Sequence, residues 1–315
     1  MVSMGLSRII IASVAWCSTI ALAQHGHIKG TLKVDGSVGG RVTPSAPALL
    51  TMSYIDHTTH TPMTKFEKLH GKSMHMILVS RDLSHFSHIH PYLTEDSGEF
   101  NLMVNTENDD PDNQDTAHAI SIPGEHLLFT EIFPQGAEMP ETVIFKVNDE
   151  AEIPLPAPKA DISYPQKNTI LYYKTDGTQG DVGDYYRINF SYDQMFICTS
   201  WFPRFFAEVY KLENGSYIKA TNFEPILEIG GHAILVSYEG EGNMKKFHHF
   251  HAFLPEDGDN VLVFPFHNHK MTFDDAVYKM WIQFKHEGNR VTLPLVIDYK
   301  NPPIPKGPTL KCSAP

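Results

Sequence analysis

The sequence predicts an all-β protein that consists of two antiparallel β-sandwich domains in tandem. Three observations support this prediction. Short segments rich in β-branched and aromatic residues alternate with turn dipeptides along the 315-residue chain. No long stretch has a convincing helical period. A histidine-containing pattern occurs once in each half of the chain.

The strand segments are short and evenly distributed. Turn dipeptides such as Asp35-Gly36 and Asn214-Gly215 separate several of them. Many short antiparallel strands in about 130 residues favour an immunoglobulin-like or cupredoxin-like sandwich in each half. We expect strands at residues 28–34, 49–55, 74–80, 170–174, 186–192, 205–212, 261–266 and 277–284.

The N-terminus has the features of a secretory signal peptide. Arg8 supplies the positive charge, an apolar stretch follows it, and Ala21-Leu22-Ala23 is a small-residue cleavage site. We therefore expect a periplasmic or secreted protein with no transmembrane segment in the mature chain. The expected divisions are a signal peptide (1–23), a first domain (24–150), a Pro-rich linker (151–168), a second domain (169–300) and a Pro-rich tail (301–315).

Charge and cysteine content exclude some classes of function. The formal net charge of −12 disfavours nucleic acid as a partner, because phosphate binding requires clustered Lys and Arg. No C-x-x-C motif is present, which argues against a thiolate metal site. Cys198 and Cys312 could pair or remain separate. The chain contains no G-x-S-x-G, H-E-x-x-H or Gly-rich phosphate loop, so the sequence does not predict an enzyme.

The repeated pattern is the most informative feature. Residues 66–80 (FEKLHGKSMHMILVS) and 223–237 (FEPILEIGGHAILVS) align without a gap, with seven identities in 15 positions. An F-x-H-x-H sequence follows each block, at 86–90 and 247–251. Histidine is the commonest metal ligand in proteins. The candidate metal ligands are therefore His75, His88 and His90 in the first half, and His232, His249 and His251 in the second.

The spacing places each set of three on one face of a hairpin. Side chains alternate along a strand, so the two histidines of each H-x-H share a face. If Ser80 pairs with His85, then His75 lies opposite His90. Pairing Ser237 with Lys246 likewise places His232 opposite His251 and Ile234 opposite His249. Opposed Cβ atoms are about 5 Å apart, close enough for imidazoles to share a copper or zinc ion.

Alternatives remain open at this stage. Both faces of these strands are apolar, so the histidines should be partly buried, and buried imidazoles can also be purely structural. Signal cleavage one residue later would expose His25, whose amine and imidazole bind copper. The His267/His269 pair could add a ligand, and Met52, Met63, Met74 and Met76 could either bind Cu(I) or pack in a core.

Residues 74–91 (MHMILVSRDLSHFSHIHP) resemble a motif of exported bacterial proteins, M-H-L-x-V-V-S-x-D-L-x-x-F-x-H-x-H-P. The relatives are uncharacterised secreted proteins and YtkA-like, cupredoxin-like β-sandwich domains, which are often associated with copper or heavy-metal handling. The resemblance implies that His75, His88 and His90 are metal ligands. The second half departs from the motif, because Ala252 replaces the proline and the loop is longer, which makes metal binding there less secure.

The leading hypothesis is an exported protein that sequesters or delivers copper or zinc, whose partners are the metal ion and an exported protein. One alternative is a non-catalytic recognition module with structural histidines. Another is a copper-dependent oxidase or monooxygenase.

Overall fold

The computed structural model describes residues 20–22, 28–107, 111–148, 158–197, 200–241, 244–265 and 273–303. Residues up to 148 are called half one below, and residues from 158 onwards half two. Several sequence expectations concern residues outside the described ranges: His25, Cys198, His267, His269, Cys312, residues 1–19 of the expected signal peptide, 151–157 of the linker and 304–315 of the tail.

The described residues of half one form eleven strands and one 3-10 helix, η1 (Pro111–His118). The strands are β1 (Ile20–Leu22), β2 (Ile28–Val34), β3 (Ser37–Val38), β4 (Ala48–Asp56), β5 (Phe66–Glu67), β6 (Met74–Ser80), β7 (Phe86–Ile89), β8 (Tyr92–Thr94), β9 (Glu99–Val104), β10 (His126–Pro134) and β11 (Glu141–Val147).

Half two is built in the same way, from two antiparallel sheets with one short parallel strand at an edge. Its strands are β12 (Ile162–Ser163), β13 (Asn168–Tyr173), β14 (Tyr186–Ile197), β15 (Ser200–Glu213), β16 (Ser216–Lys219), β17 (Phe223–Glu224), β18 (Gly231–Glu241), β19 (Met244–Ala252), β20 (Val261–Phe264), β21 (Ala276–His286) and β22 (Asn289–Tyr299).

Each half is a sandwich of two sheets. In half one, the outer sheet has the order β1-β2-β4-β9-β8 and the inner sheet has the order β11-β10-β6-β7. In half two, the inner sheet is β12-β22-β21-β18-β19 and the outer sheet is β13-β14-β15-β16. The two short strands β5 and β17 add to the inner sheets through β10 and β21, respectively. The all-β sandwich fold is as the sequence predicts.

The strand expectations agree closely with the structure. β2 and β6 have the predicted bounds, and every other expected segment overlaps an observed strand. The turn dipeptides act as predicted: Asp35 and Gly36 have φ of 48° and 80°, and Asn214 and Gly215 have φ of 51° and 78°. Positive φ at both central residues gives the tight hairpin turn that matches strand twist.

Each sandwich has its own core, to which alternate residues of the strands contribute. In half one, Leu50 and Met52 of the outer sheet pack with Met76 and Leu78 of the inner sheet. The corresponding core of half two is more aromatic and includes Phe190 and Phe205. Close packing of these apolar faces is the main stabilising contribution within each half.

A third hydrophobic cluster joins the two inner sheets. It contains Ile77 and Val79 of β6, and Ile234 and Val236 of β18, with aromatic residues of both halves. All seven residues of β6 are buried, because one face of the strand contributes to the core of half one and the other faces half two. The apolar character of both strand faces therefore reflects a sheet that is covered on both sides.

Two aromatic stacks cross this interface at equivalent positions. Phe86 stacks on Trp281 with ring centroids 4.7 Å apart, and Phe247 stacks on Phe129 at the same separation. Phe129 lies opposite Ile77 in the strand register, as Trp281 lies opposite Ile234. Pairs of this kind contribute about 0.5–1.5 kcal/mol each beyond the area they bury. The contact between halves is thus apolar and specific.

Candidate metal centre

The hairpin registers that the sequence predicts are present in both halves. In half one, Ile77 pairs with His88, and the Ser80 amide donates to the His85 carbonyl over 3.1 Å. In half two, His232 pairs with His251 and Ile234 with His249. Each H-x-H therefore has its imidazoles on the inner face of its sheet, which is directed towards the other half.

The two sets of histidines meet in one place between the halves. The rings of His88 and His232 have centroids 4.6 Å apart, and those of His75 and His249 are 5.7 Å apart. His70, from the turn before β6, adds a seventh ring, with Nε2 3.2 Å from Nδ1 of His251. The set is called the histidine cluster below: His70, His75, His88, His90, His232, His249 and His251.

Two groups of three within the cluster have the spacing of metal ligands. The first is His75, His88 and His232; the second is His232, His249 and His251. In each group one ring nitrogen per residue lies within 4.8 Å of the others. Five of the six predicted ligands are therefore members of a group. His90 belongs to neither, but its ring lies 4.9 Å from that of His75.

The second group is oriented by a carboxylate of half one. Glu131 Oε2 lies 3.1 Å from Nδ1 of His249, whose side chain is only 1% exposed. A carboxylate accepts the hydrogen bond, so Nδ1 donates and Nε2 is the nitrogen left for a ligand bond. Nε2 of His249 is buried and has no hydrogen-bond partner among the described residues. A carboxylate behind a ligating imidazole is a common arrangement in metal sites.

The first group is oriented by an amide of half two. Gln283 Oε1 accepts from Nδ1 of His88 over 2.9 Å, and Gln283 Nε2 donates to Thr292 Oγ1. The Leu69 carbonyl accepts from Nε2 of His75 over 2.9 Å. With these protonation sites, the lone pairs of His75 Nδ1 and His88 Nε2 face each other over 3.3 Å. A bound cation would remove the repulsion between them.

Burial keeps these imidazoles in their neutral, ligating form. Burial lowers the pKa of His75 to about 4, with a further contribution from repulsion by His249. Burial likewise lowers the pKa of His88 and of His232 well below 6.5. Burial alone would raise the pKa of Glu131, but the hydrogen bond from His249 and the surrounding imidazoles hold it below its usual value. The first ligand group, His75, His88 and His232, therefore consists of neutral imidazoles.

Glu131 and Gln283 occupy equivalent positions with different charges. Glu131 lies opposite His75 in the register, and Gln283 lies opposite His232. Each reaches across the interface to the first histidine of the other half's H-x-H. His70 has Leu227 as its counterpart in the alignment of the two halves. The group that includes His249 is thus the more anionic of the two, although the sequence motif made half two the less secure metal site.

The 3-10 helix positions the edge strand that carries the first H-x-H. Asn113 Oδ1 accepts from the His90 amide over 2.6 Å, and Asn113 Nδ2 donates to the His90 carbonyl over 3.0 Å. Asp115 Oδ2 accepts from the His88 amide over 2.9 Å. These side chains form the backbone hydrogen bonds that a neighbouring strand would otherwise form with residues 88 and 90, and so fix the direction of His88 and His90.

Sequence reasoning did not identify Glu131 or Gln283, and it gave His70 no role. A signal for the first two was nevertheless present: residues 126–136 (HLLFTEIFPQG) loosely match 278–288 (YKMWIQFKHEG), and this match aligns Glu131 with Gln283. The methionines have the packing role that the sequence left as an alternative: Met52, Met74 and Met76 belong to the core of half one. His248 lies in half two beside Phe273, with ring centroids 4.4 Å apart.

Comparison with known proteins provides no function. Residues 27–149 match a family described as Domain of unknown function (DUF8832). No curated protein matches the chain. Among the described residues, no helix is long and apolar enough to cross a membrane.

Proposed function

We propose that this protein binds copper or zinc in the histidine cluster between its halves, and that it sequesters or delivers the metal outside the cytoplasm. The signal-peptide features of residues 1–23 and the resemblance of residues 74–91 to exported copper-handling domains support the location and the choice of metals. The cluster supports the binding.

The observation that carries the proposal is the pair formed by His249 and Glu131. The carboxylate accepts from Nδ1, and the buried Nε2 has no hydrogen-bond partner among the residues that the structure describes. A buried polar atom without a partner costs about 1–3 kcal/mol. A metal ion at Nε2 removes this cost and uses the orientation that the carboxylate provides.

The ligand set agrees with the proposed metals. Imidazole nitrogen suits copper and zinc, whereas magnesium and calcium require oxygen ligands. Three imidazoles can occupy three positions around one ion with bonds of about 2 Å. The ligands of the first group come from both halves, so an ion bound there also bridges the inner sheets, and its release requires movement at their contact. Burial between two domains suits storage and controlled transfer.

Metal content tests the proposal. Protein purified without an affinity tag is loaded with Cu(II) or Zn(II), desalted, and analysed by elemental mass spectrometry. The test variants are His249→Ala and the double variant His88→Ala with His90→Ala. The exposed His118 provides the control, as His118→Ala. We expect retained metal in wild type and control, and a loss of at least half in the test variants.

No retained metal in the wild type would overturn the proposal. If the test variants were then merely less stable than the control, the cluster would be structural, and recognition of a protein or glycan would become the leading hypothesis. Oxygen consumption by the copper-loaded protein with a reductant would instead indicate an oxidase or monooxygenase.

A further inference from the structure

We propose that the cluster holds two metal ions, bridged by the imidazole of His232. This inference rests on the proposed metal binding and extends it. His232 is the residue shared by the two ligand groups, one with His75 and His88 and the other with His249 and His251. The proposal assigns one ring nitrogen of His232 to each ion.

The environment of His232 distinguishes it from the other histidines of the cluster. Its side chain is fully buried, with 0% exposure. Within the part of the chain that the structure describes, neither Nδ1 nor Nε2 has a hydrogen-bond partner. His75, His88 and His249 each have one ring nitrogen hydrogen-bonded to a backbone carbonyl, an amide or a carboxylate. A single ion would satisfy only one nitrogen of His232 and would leave the other buried without a partner.

His232 also lies close to the other ligands of both groups. Its ring is perpendicular to that of His88 with centroids 4.6 Å apart, and it stacks against that of His249 at 5.1 Å. His251 is 5.3 Å away and perpendicular. The ring centroid is therefore within 5.3 Å of those of further ligands of both groups. Each ion would have two further imidazoles in addition to the shared one.

The bridge requires a balanced proton exchange. A neutral imidazole carries one proton, on Nδ1 or Nε2. When both nitrogens bind metal, that proton leaves to solvent and the bridging ring becomes an imidazolate with one negative charge. The bridge and the Glu131 carboxylate together place two negative charges against the charge of two divalent ions.

The two positions differ in their surroundings. The group with His249 has the Glu131 carboxylate behind it, and the group with His88 has the neutral amide of Gln283. A carboxylate increases the basicity of the imidazole to which it is hydrogen-bonded. At low metal concentration we therefore expect an ion to bind first at His232, His249 and His251. A second ion then binds at His75, His88 and the shared His232.

Copper titration with electron paramagnetic resonance tests the bridge on the intact wild-type chain. We expect two tightly bound Cu(II) ions per chain, and a spin signal well below that of two isolated Cu(II) ions, because an imidazolate couples their unpaired electrons. Two ions with full, uncoupled intensity, or saturation at one ion, would overturn the bridge and leave metal binding intact. No bound ion would overturn both proposals.

A second measurement replaces one of the two copper ions with zinc in the wild-type protein. Zn(II) has no unpaired electron. One equivalent of Zn(II) followed by one of Cu(II) should give the full signal of one isolated Cu(II). Two equivalents of Cu(II) should give less than the signal of two isolated ions.

Substitution of the bridging residue is the third measurement. His232→Gln should reduce the number of bound ions per chain and abolish the coupling between them, while His118→Gln should leave both unchanged. A coupled signal that persists in a folded His232→Gln protein would contradict the assignment.

Discussion

Replacement of Glu131 by glutamine places an amide instead of a carboxylate next to His249. His249 would then have the same kind of partner that His88 has in Gln283. The hydrogen bond to Nδ1 of His249 can persist, because the glutamine carbonyl also accepts. The carboxylate lies 3.1 Å from Nδ1. An ion bound at Nε2 would be about 7 Å from it, given a metal–nitrogen bond of about 2 Å.

Two magnitudes bear on the expected effect of Glu131→Gln. Coulomb attraction of a carboxylate to a divalent ion at about 7 Å is about 5 kcal/mol at an effective dielectric constant of 20. Loss of a supporting partner behind a ligand typically costs about 10–100-fold in metal affinity. The Glu131 side chain is 17% exposed, so solvent screens part of the attraction. We therefore expect a loss of about 10–100-fold, equivalent to about 1.4–2.7 kcal/mol.

The assay is competition for Zn(II) or Cu(II) against a chromophoric chelator of known affinity at neutral pH. Gln283→Glu is the matched control, because it adds a carboxylate at the equivalent position and should strengthen binding by the first group. The double variant exchanges the two side chains and retains the total charge, so it should recover most of the affinity. A dissociation constant for Glu131→Gln within twofold of the wild-type value would refute the role of the carboxylate.

The remaining predictions concern stability. Trp281→Ala should lower the free energy of unfolding by about 3–5 kcal/mol in denaturant titrations. Trp281→Phe should lower it far less, because a phenylalanine, Phe129, forms the equivalent stack in the other half. Equal losses in the two variants would contradict the stacking argument. Burial lowers the pKa of His126, so below about pH 6.5 the unfolded chain binds more protons than the folded chain, and the free energy of unfolding falls as the pH falls. His126→Gln should make this dependence of stability on pH less steep. An unchanged dependence in this acidic range would refute the role given to His126. Metal at 100 times its dissociation constant should add about 2.7 kcal/mol to the free energy of unfolding, and a chelator should reverse the rise in melting temperature.

Local patterning was sufficient to predict the hairpins. The alternation that places His88 and His90 on one face depends only on strand geometry. Ser80 and Ser237 occupy equivalent polar positions: the Ser80 amide donates to the His85 carbonyl, and Ser237 Oγ accepts from the Lys246 amide. These features could be predicted because they depend on residues close together in the sequence.

The assembly of the cluster could not be predicted in the same way. Glu131 contacts His249 although 118 residues separate them, and Gln283 contacts His88 across 195 residues. No local pattern specifies that the inner sheets pack face to face. The apolar residues on the inner face of β6, such as Ile77 and Val79, indicated a covered surface but not what covers it. For the same reason, each set of three histidines suggested a separate site rather than ligand groups that share His232.

Because both halves belong to one chain, the contact between their inner sheets can evolve differently on its two sides. The interface resembles that of a two-fold homodimer, in which the same patch of each subunit faces its copy and any substitution occurs twice. In such a dimer, a glutamate at one position would require a glutamate at its mate. In the tandem chain, Glu131 faces His249 while Gln283 faces His88, and His70 has a leucine as its counterpart. Covalent connection thus permits two neighbouring ligand groups to evolve different charges, and with them different affinities, within a single shared interface.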